Sequence, residues 1–134
     1  MIGLSACETL SDLSGGSCSG EMWSEATFYF GRSRLEETPT SQAEWTKFVE
    51  EEITPRFPDG FTVFEARGAW GNPESGKTIY EGSKVLTILH PGTVKSRQKV
   101  MDLAEAYRSR FDQQAVLTSQ TRTCTTFHTG ETGN

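Results

Sequence analysis

The sequence predicts an α+β domain of the ferredoxin-like kind, β-α-β-β-α-β, with a four-stranded antiparallel sheet and both helices on one of its faces. Three observations predict it. The hydrophobic period switches between two and about 3.6 in that order, nearly every switch is marked by Gly or Pro, and 134 residues leave room for a single core.

The first strand is read from Glu25 to Phe30, where aromatic residues alternate with smaller or polar ones until Gly31 breaks the run. Ser41 followed three residues later by Glu44 is a capping-box signature. Trp45, Phe48, Val49 and Ile53 then recur at helical spacing, and Pro55 is expected to end that helix. Residues 61–70 and 78–90 read as two strands joined by a wide hairpin loop, closed by Pro91 and Gly92. Thr93 can cap a second helix carrying Val100, Met101, Ala104, Tyr107 and Phe111 on one stripe, with Lys95, Lys99, Arg108 and Arg110 in water. A last strand is expected over residues 115–127.

The folded domain is thus expected at 23–129, between a Ser/Gly-rich segment at 1–22 that reads as a tether and a loose tail at 130–134. Thirteen Lys and Arg against eighteen Asp and Glu give a net charge of -5. That balance opposes phosphate backbones, so no nucleic-acid partner is expected. The longest near-apolar run, Val85 to Leu89, is far short of the roughly 20 residues a spanning helix needs, so membrane attachment would have to be covalent.

Leu4-Ser5-Ala6-Cys7 matches the lipobox of bacterial lipoproteins, in which the Cys is diacylated and becomes the mature N-terminus. The segment reads as a truncated signal, because the apolar stretch of about 7 to 15 residues that a signal needs is missing ahead of the box. Met1 is accordingly read as an internal Met of a longer precursor, and the mature protein as lipid-anchored in the periplasm or cell envelope. Lipidation of Cys7 leaves Cys18 and Cys124 as a pair. The predicted first and last strands are neighbours, which makes a Cys18 to Cys124 disulfide geometrically plausible in an oxidising compartment.

Gly71 to Thr78 reads G-N-P-E-S-G-K-T and satisfies the phosphate-loop pattern G-x-x-x-x-G-K-[ST] at every fixed position. The chemistry requires a helix to start at the Lys. Here Thr78, Ile79 and Tyr80 favour a strand and Pro73 removes a backbone donor, so a hairpin loop is expected and no nucleotide site. His90 and His128 show no ligand spacing with Cys, Asp or Glu, and neither a metal nor a cofactor is implied. Glu50, Glu51 and Glu52 read as the wet end of the first helix.

Leu86 and Ile88 point to one side of the third strand, yet Val85 and Leu89 are apolar on the other. With Tyr29, and Val63 from the second strand, they form an apolar patch on the face away from the helices. Such a patch is expected to be covered by a second copy in a homodimer. Arg67 and Lys84 are placed at its margin, and with Tyr29 they are the candidate ligand contacts.

Several stretches together resemble the bacterial domain of unknown function 3574. They are Phe28-Tyr29-Phe30-Gly31, Glu44-Trp45 with Phe48, and the string Ile53-Thr54-Pro55-Arg56-Phe57-Pro58-Asp59-Gly60. Thr62-Val63, Ala66-Arg67-Gly68, Trp70, Glu81, Ser83-Lys84-Val85, Tyr107, Phe111, Gln114, Val116, Cys124 and Phe127 extend the likeness over about residues 24 to 127. The family pattern carries an acidic residue where this chain has Thr27. The resemblance implies an exported or lipid-anchored protein and no particular reaction. Two classes of function stay open: a non-catalytic binding or interaction module, and a small cofactor-independent enzyme of the dimeric α+β barrel type.

Overall fold

The structure, a computed structural model, describes residues 16–33 and 38–130. Four strands form one sheet: β1 (Glu21–Gly31), β2 (Thr62–Gly71), β3 (Thr78–His90) and β4 (Leu117–Thr125), side by side in the order β2-β3-β1-β4. β1 and β2 both pair antiparallel with β3, Phe28 facing Leu86 and Val63 facing Leu86 from the other side. The first strand therefore begins four residues earlier than its alternation suggests. The last is shorter than expected at both ends.

Alternation explains which face is buried. Ala26, Phe28 and Phe30 of β1 and Leu86 and Ile88 of β3 point the same way and are all but sealed from water. The helices cover that face. Phe30 lies 4.2 Å from the Tyr107 ring and 5.8 Å from the Trp45 ring, so one strand residue touches both helical elements. Phe48 and Phe111 complete the aromatic cluster, and the Tyr107 hydroxyl donates to the Gly31 carbonyl at 2.7 Å, which satisfies its one polar atom inside the core.

The first helical element is α1 (Gln42–Phe48), a π turn (Val49–Ile53) and α2 (Thr54–Arg56) in unbroken succession. Ser41 caps α1 as its sequence indicates: its hydroxyl accepts from the Glu44 amide, and the Glu44 carboxylate accepts from the Ser41 amide. Pro55 does not stop the rod. It sits within the first two positions of α2, where a missing N–H costs nothing, and the π turn ahead of it has already shifted the hydrogen-bond register, with the Thr54 amide donating to Val49. The helix ends two residues later, at Phe57, whose buried ring plugs the base of the core. Glu50 to Glu52 do line the outer surface, where Glu51 meets Lys47 and Arg110 and Glu52 meets Arg56.

The second helix, α3 (Val94–Arg110), is capped by Thr93, whose hydroxyl accepts from the Ser96 amide. Its buried stripe is Val100, Leu103 and Tyr107, with Phe111 just beyond its end. Met101 is 63% exposed and belongs to the outer face, because Leu103, at the centre of the buried stripe, lies two residues on and about 200° round the helix from it. Near the end of α3, a hydrogen bond from Arg108 holds the Glu105 carboxyl below its ordinary pKa.

The chain separates into two compact units. The larger is Trp23–Thr123 and holds the core just described. Among the described residues the smaller comprises 16–22 and 124–130. Within it Cys18 and Cys124 form a disulfide with their Cα atoms 5.5 Å apart. Gly20 packs against the Thr125 carbonyl so closely that a Cβ there would collide with backbone. Cys7 lies outside the described residues, and so do the tail residues 131–134.

Candidate functional site

The three residues singled out as ligand contacts do not meet. Tyr29 is on the open face of the sheet, directly opposite Val85. Lys84 faces Phe30 and Glu65, hence the helix-covered side, and is only 2% exposed. Its ammonium donates to Gln42 Oε1 at 2.8 Å, pairs with the Glu65 carboxylate and lies over the Trp45 ring. Lys84 therefore clamps β3 to β2 and to the first turn of α1. The signal was present in the sequence, since Lys84 shares the parity of Leu86 and Ile88. Arg67, opposite Gly82, also lies on the helix side of the sheet, stacked 4.8 Å over Tyr80. Val63 is opposite Leu86 and packs against the core, so Phe64, opposite Val85, takes the place on the open face that had been expected of Val63.

The phosphate-loop match is a hairpin turn. Gly71 is the last residue of β2 and Thr78 the first of β3, and no helix starts at Lys77. The Asn72 amide donates to the Lys77 carbonyl, the Asn72 carboxamide accepts from the Glu74 amide, and Gly76 takes the positive φ that closes the loop.

Two of the clefts in the larger unit gather polar side chains from several elements. The first, about 290 Å³, lies between residues 56–60 of the T-P-R-F-P-D-G string and the start of α3. Several of its polar groups are engaged within the protein. Arg56 bonds to Glu52, and the Lys99 ammonium donates to the Arg56 carbonyl. His90 is buried, and the Gly92 amide, which can only donate, makes its Nδ1 an acceptor. Nε2–H then donates to Gln120 Oε1 at 3.2 Å, and the Ser96 hydroxyl sits 2.8 Å from Nδ1. This network ties the Pro91-Gly92 turn to α3 and β4.

The second cleft, about 390 Å³, presents a different chemistry. Ser33, Trp70, Glu81, Asp112, Gln113, Gln114 and Ala115 line it, drawn from the end of β2, the start of β3, the residues after β1 and the turn after α3. An indole that is half exposed stands beside two carboxylates and two carboxamides. The framework is held firmly. Glu81 accepts from the Ser33 amide at 3.1 Å and rests on Gly31, where an added Cβ would stand 3.0 Å from its carboxylate. Gln113 donates to the Ser33 carbonyl at 2.7 Å, bridging the end of α3 to the end of β1. Asp112 takes a φ of 50°, a left-handed conformation unusual for a residue with a side chain. An aromatic platform with acceptors and amides around it can stack a flat heterocycle, accept hydrogen bonds from hydroxyls and offset a positive charge. Among the described residues no group of three or more His, Cys, Asp or Glu side chains is placed to hold a metal ion.

The family model described as "Protein of unknown function (DUF3574)" matches residues 25–127. No curated protein sequence matches the chain. Among the solved structures that resemble it in backbone are two of phage SAM lyase. A phage SAM lyase in complex with S-methyl-5'-thioadenosine superposes with a TM-score of 0.58 at 18% identity, covering 80% of this chain and 85% of that one. A phage SAM lyase in the apo state gives 0.59 at 19% identity, covering 80% and 86%. At such identities the likeness is one of fold.

Proposed function

The chain belongs to the DUF3574 family, and from that premise we propose that it is a small-ligand-binding module of the cell envelope, with the cleft at Trp70 as its ligand site. One observation carries the reading. Trp70 and Glu81 of the β2–β3 hairpin and Gln114 of the turn after α3, three residues of the family resemblance, converge on that one cleft. The strand order β2-β3-β1-β4 supports the finer ferredoxin-like reading of the fold, a scaffold that serves many functions.

The envelope part rests on Cys7 and on the Cys18 to Cys124 bond, a type of crosslink that persists in oxidising compartments. In this reading Cys7 carries a diacylglyceryl group, two chains being what stable anchoring takes. Mass spectrometry of protein extracted from native membranes should find Cys7 as a lipid-modified N-terminus. An unmodified Met1 in the membrane-free fraction overturns the anchor.

A second reading is favoured by the fold neighbours: a small cofactor-independent enzyme acting on a nucleoside sulfur compound such as those of the phage SAM lyases. The cleft would stack the base on Trp70, take ribose hydroxyls on Glu81 and Asp112, and offer the amide of Gln114 to the base edge. Calorimetric titration of the full chain with S-methyl-5'-thioadenosine and with SAM tests it. Binding of either should fall roughly 5- to 150-fold in Trp70→Ala, the loss of one base stack of about 1 to 3 kcal/mol. Consumption of SAM followed by chromatography decides for the enzyme, and binding without consumption decides for the module. The absence of heat with both compounds overturns the nucleoside ligand.

A further inference from the structure

We infer that the open face of the sheet, away from the helices, is the contact surface of a symmetric homodimer. This goes beyond the ligand site and does not depend on it. Phe64, Val85 and Tyr29 face one another across β2, β3 and β1 and make one continuous apolar row over the middle of the face. Phe64 is 55% exposed and Tyr29 43%, and Leu89, 41% exposed, lies beyond the threonine row of Thr62, Thr87 and Thr27.

Charge is nearly absent there. Within the paired registers of β1, β2 and β3, the only charged residues at open-face positions are Glu25 and Glu81, in a chain that is 23% charged. Glu25 lies opposite Leu89 and Glu81 opposite Gly68, so the two acids stand near opposite ends of β3 and the middle of the face carries none. The row beside it, Thr62, Thr87 and Thr27, and Ser83 on the other side are polar but uncharged, so the middle of the face holds no group whose charge would be lost on burial. No basic residue is available at these positions for a nucleic acid or an anionic lipid. A second copy presents the same neutral centre, and a two-fold axis through it would bring the Phe64 to Tyr29 rows together while leaving the acids at the rim.

The area suffices. Four strands about 4.8 Å apart and eight residues long at about 3.3 Å each span on the order of 500 Å² of plane, and side-chain relief adds to it. Two such faces bury about 1,000 Å² or more, the threshold for a specific interface.

Sedimentation velocity of the full chain from about 1 to 100 μM should show a reversible monomer–dimer equilibrium with a dissociation constant in the tens of micromolar or tighter. Phe64→Glu should weaken it at least about 100-fold, because the carboxylate would be buried without a partner. Phe64 is largely exposed, so that variant should keep its circular dichroism and melting temperature. Val85→Glu should act likewise, and Met101→Glu, on the outer side of α3, should leave association unchanged. A strict monomer at the highest concentration overturns the proposal and points instead to the chain's own residues 1–15 as the cover. A dimer indifferent to both Phe64→Glu and Val85→Glu overturns it too, as does a larger assembly.

Discussion

Reduction of the Cys18 to Cys124 disulfide is expected to lower the free energy of unfolding by roughly 4 to 5 kcal/mol. The two cysteines are 106 positions apart, and closing a loop of about that length removes this much chain entropy from the unfolded ensemble. For a chain of this size the loss corresponds to a fall in melting temperature of roughly 15 °C. Urea titrations of oxidised protein and of the Cys18→Ser/Cys124→Ser variant measure it, and the two should differ in midpoint. The urea slope of the variant should be slightly steeper, since its unfolded chain is less compact. A difference below about 1 kcal/mol would mean that the unfolded state already keeps the chain ends together.

Phe30→Ala should cost about 3 to 5 kcal/mol, the range for deleting a fully buried aromatic ring. Phe30 is sealed from water and stacks on Tyr107, touches Trp45 and meets Phe48 edge-on. The rings around the vacated volume come from two helical elements held by their own strand and cap contacts, so they can collapse only in part. Phe64→Ala is the matched control: the same deletion on the open face should cost monomer stability under 1 kcal/mol. Equal losses at the two positions would contradict the assignment of faces.

Much of this fold is legible in the chain because it is written locally. The alternation of Ala26, Phe28 and Phe30, the reciprocal cap of Ser41 and Glu44, and the turn chemistry of Asn72 and Gly76 each act over a few residues, where sequence and geometry correspond directly. The features that misled depend on partners. Whether Val63 or Phe64 faces the core is decided by the register of β2 on β3, which neither strand's own alternation specifies. Pro55 reads as a terminator because its local cost is plain, while the π turn that accommodates it is a property of the whole rod. Lys84 looked like a wet margin residue by chemistry. Parity placed it inside, and Glu65 and Gln42 make that burial tolerable. The cleft at Trp70 was beyond reach for the same reason, since its walls come from residues 33, 70, 81 and 112 to 115, and only the sheet order brings them together.

The π turn between α1 and α2 also bears on how this chain can vary in length. Between Phe48 and Ile53, both buried, five steps of backbone cover what four would span in an ordinary helix. The turn thus holds one surplus residue, bulged outward among Glu50, Glu51 and Glu52, while the core contacts before and after it stay in phase. In genetic terms the segment is a reading frame with a spare codon: loss of one glutamate would restore a plain α-helix with Trp45, Phe48 and Ile53 on one stripe. The same deletion in α3 ahead of Tyr107 would rotate everything beyond it by about 100° and pull Tyr107 out of the core.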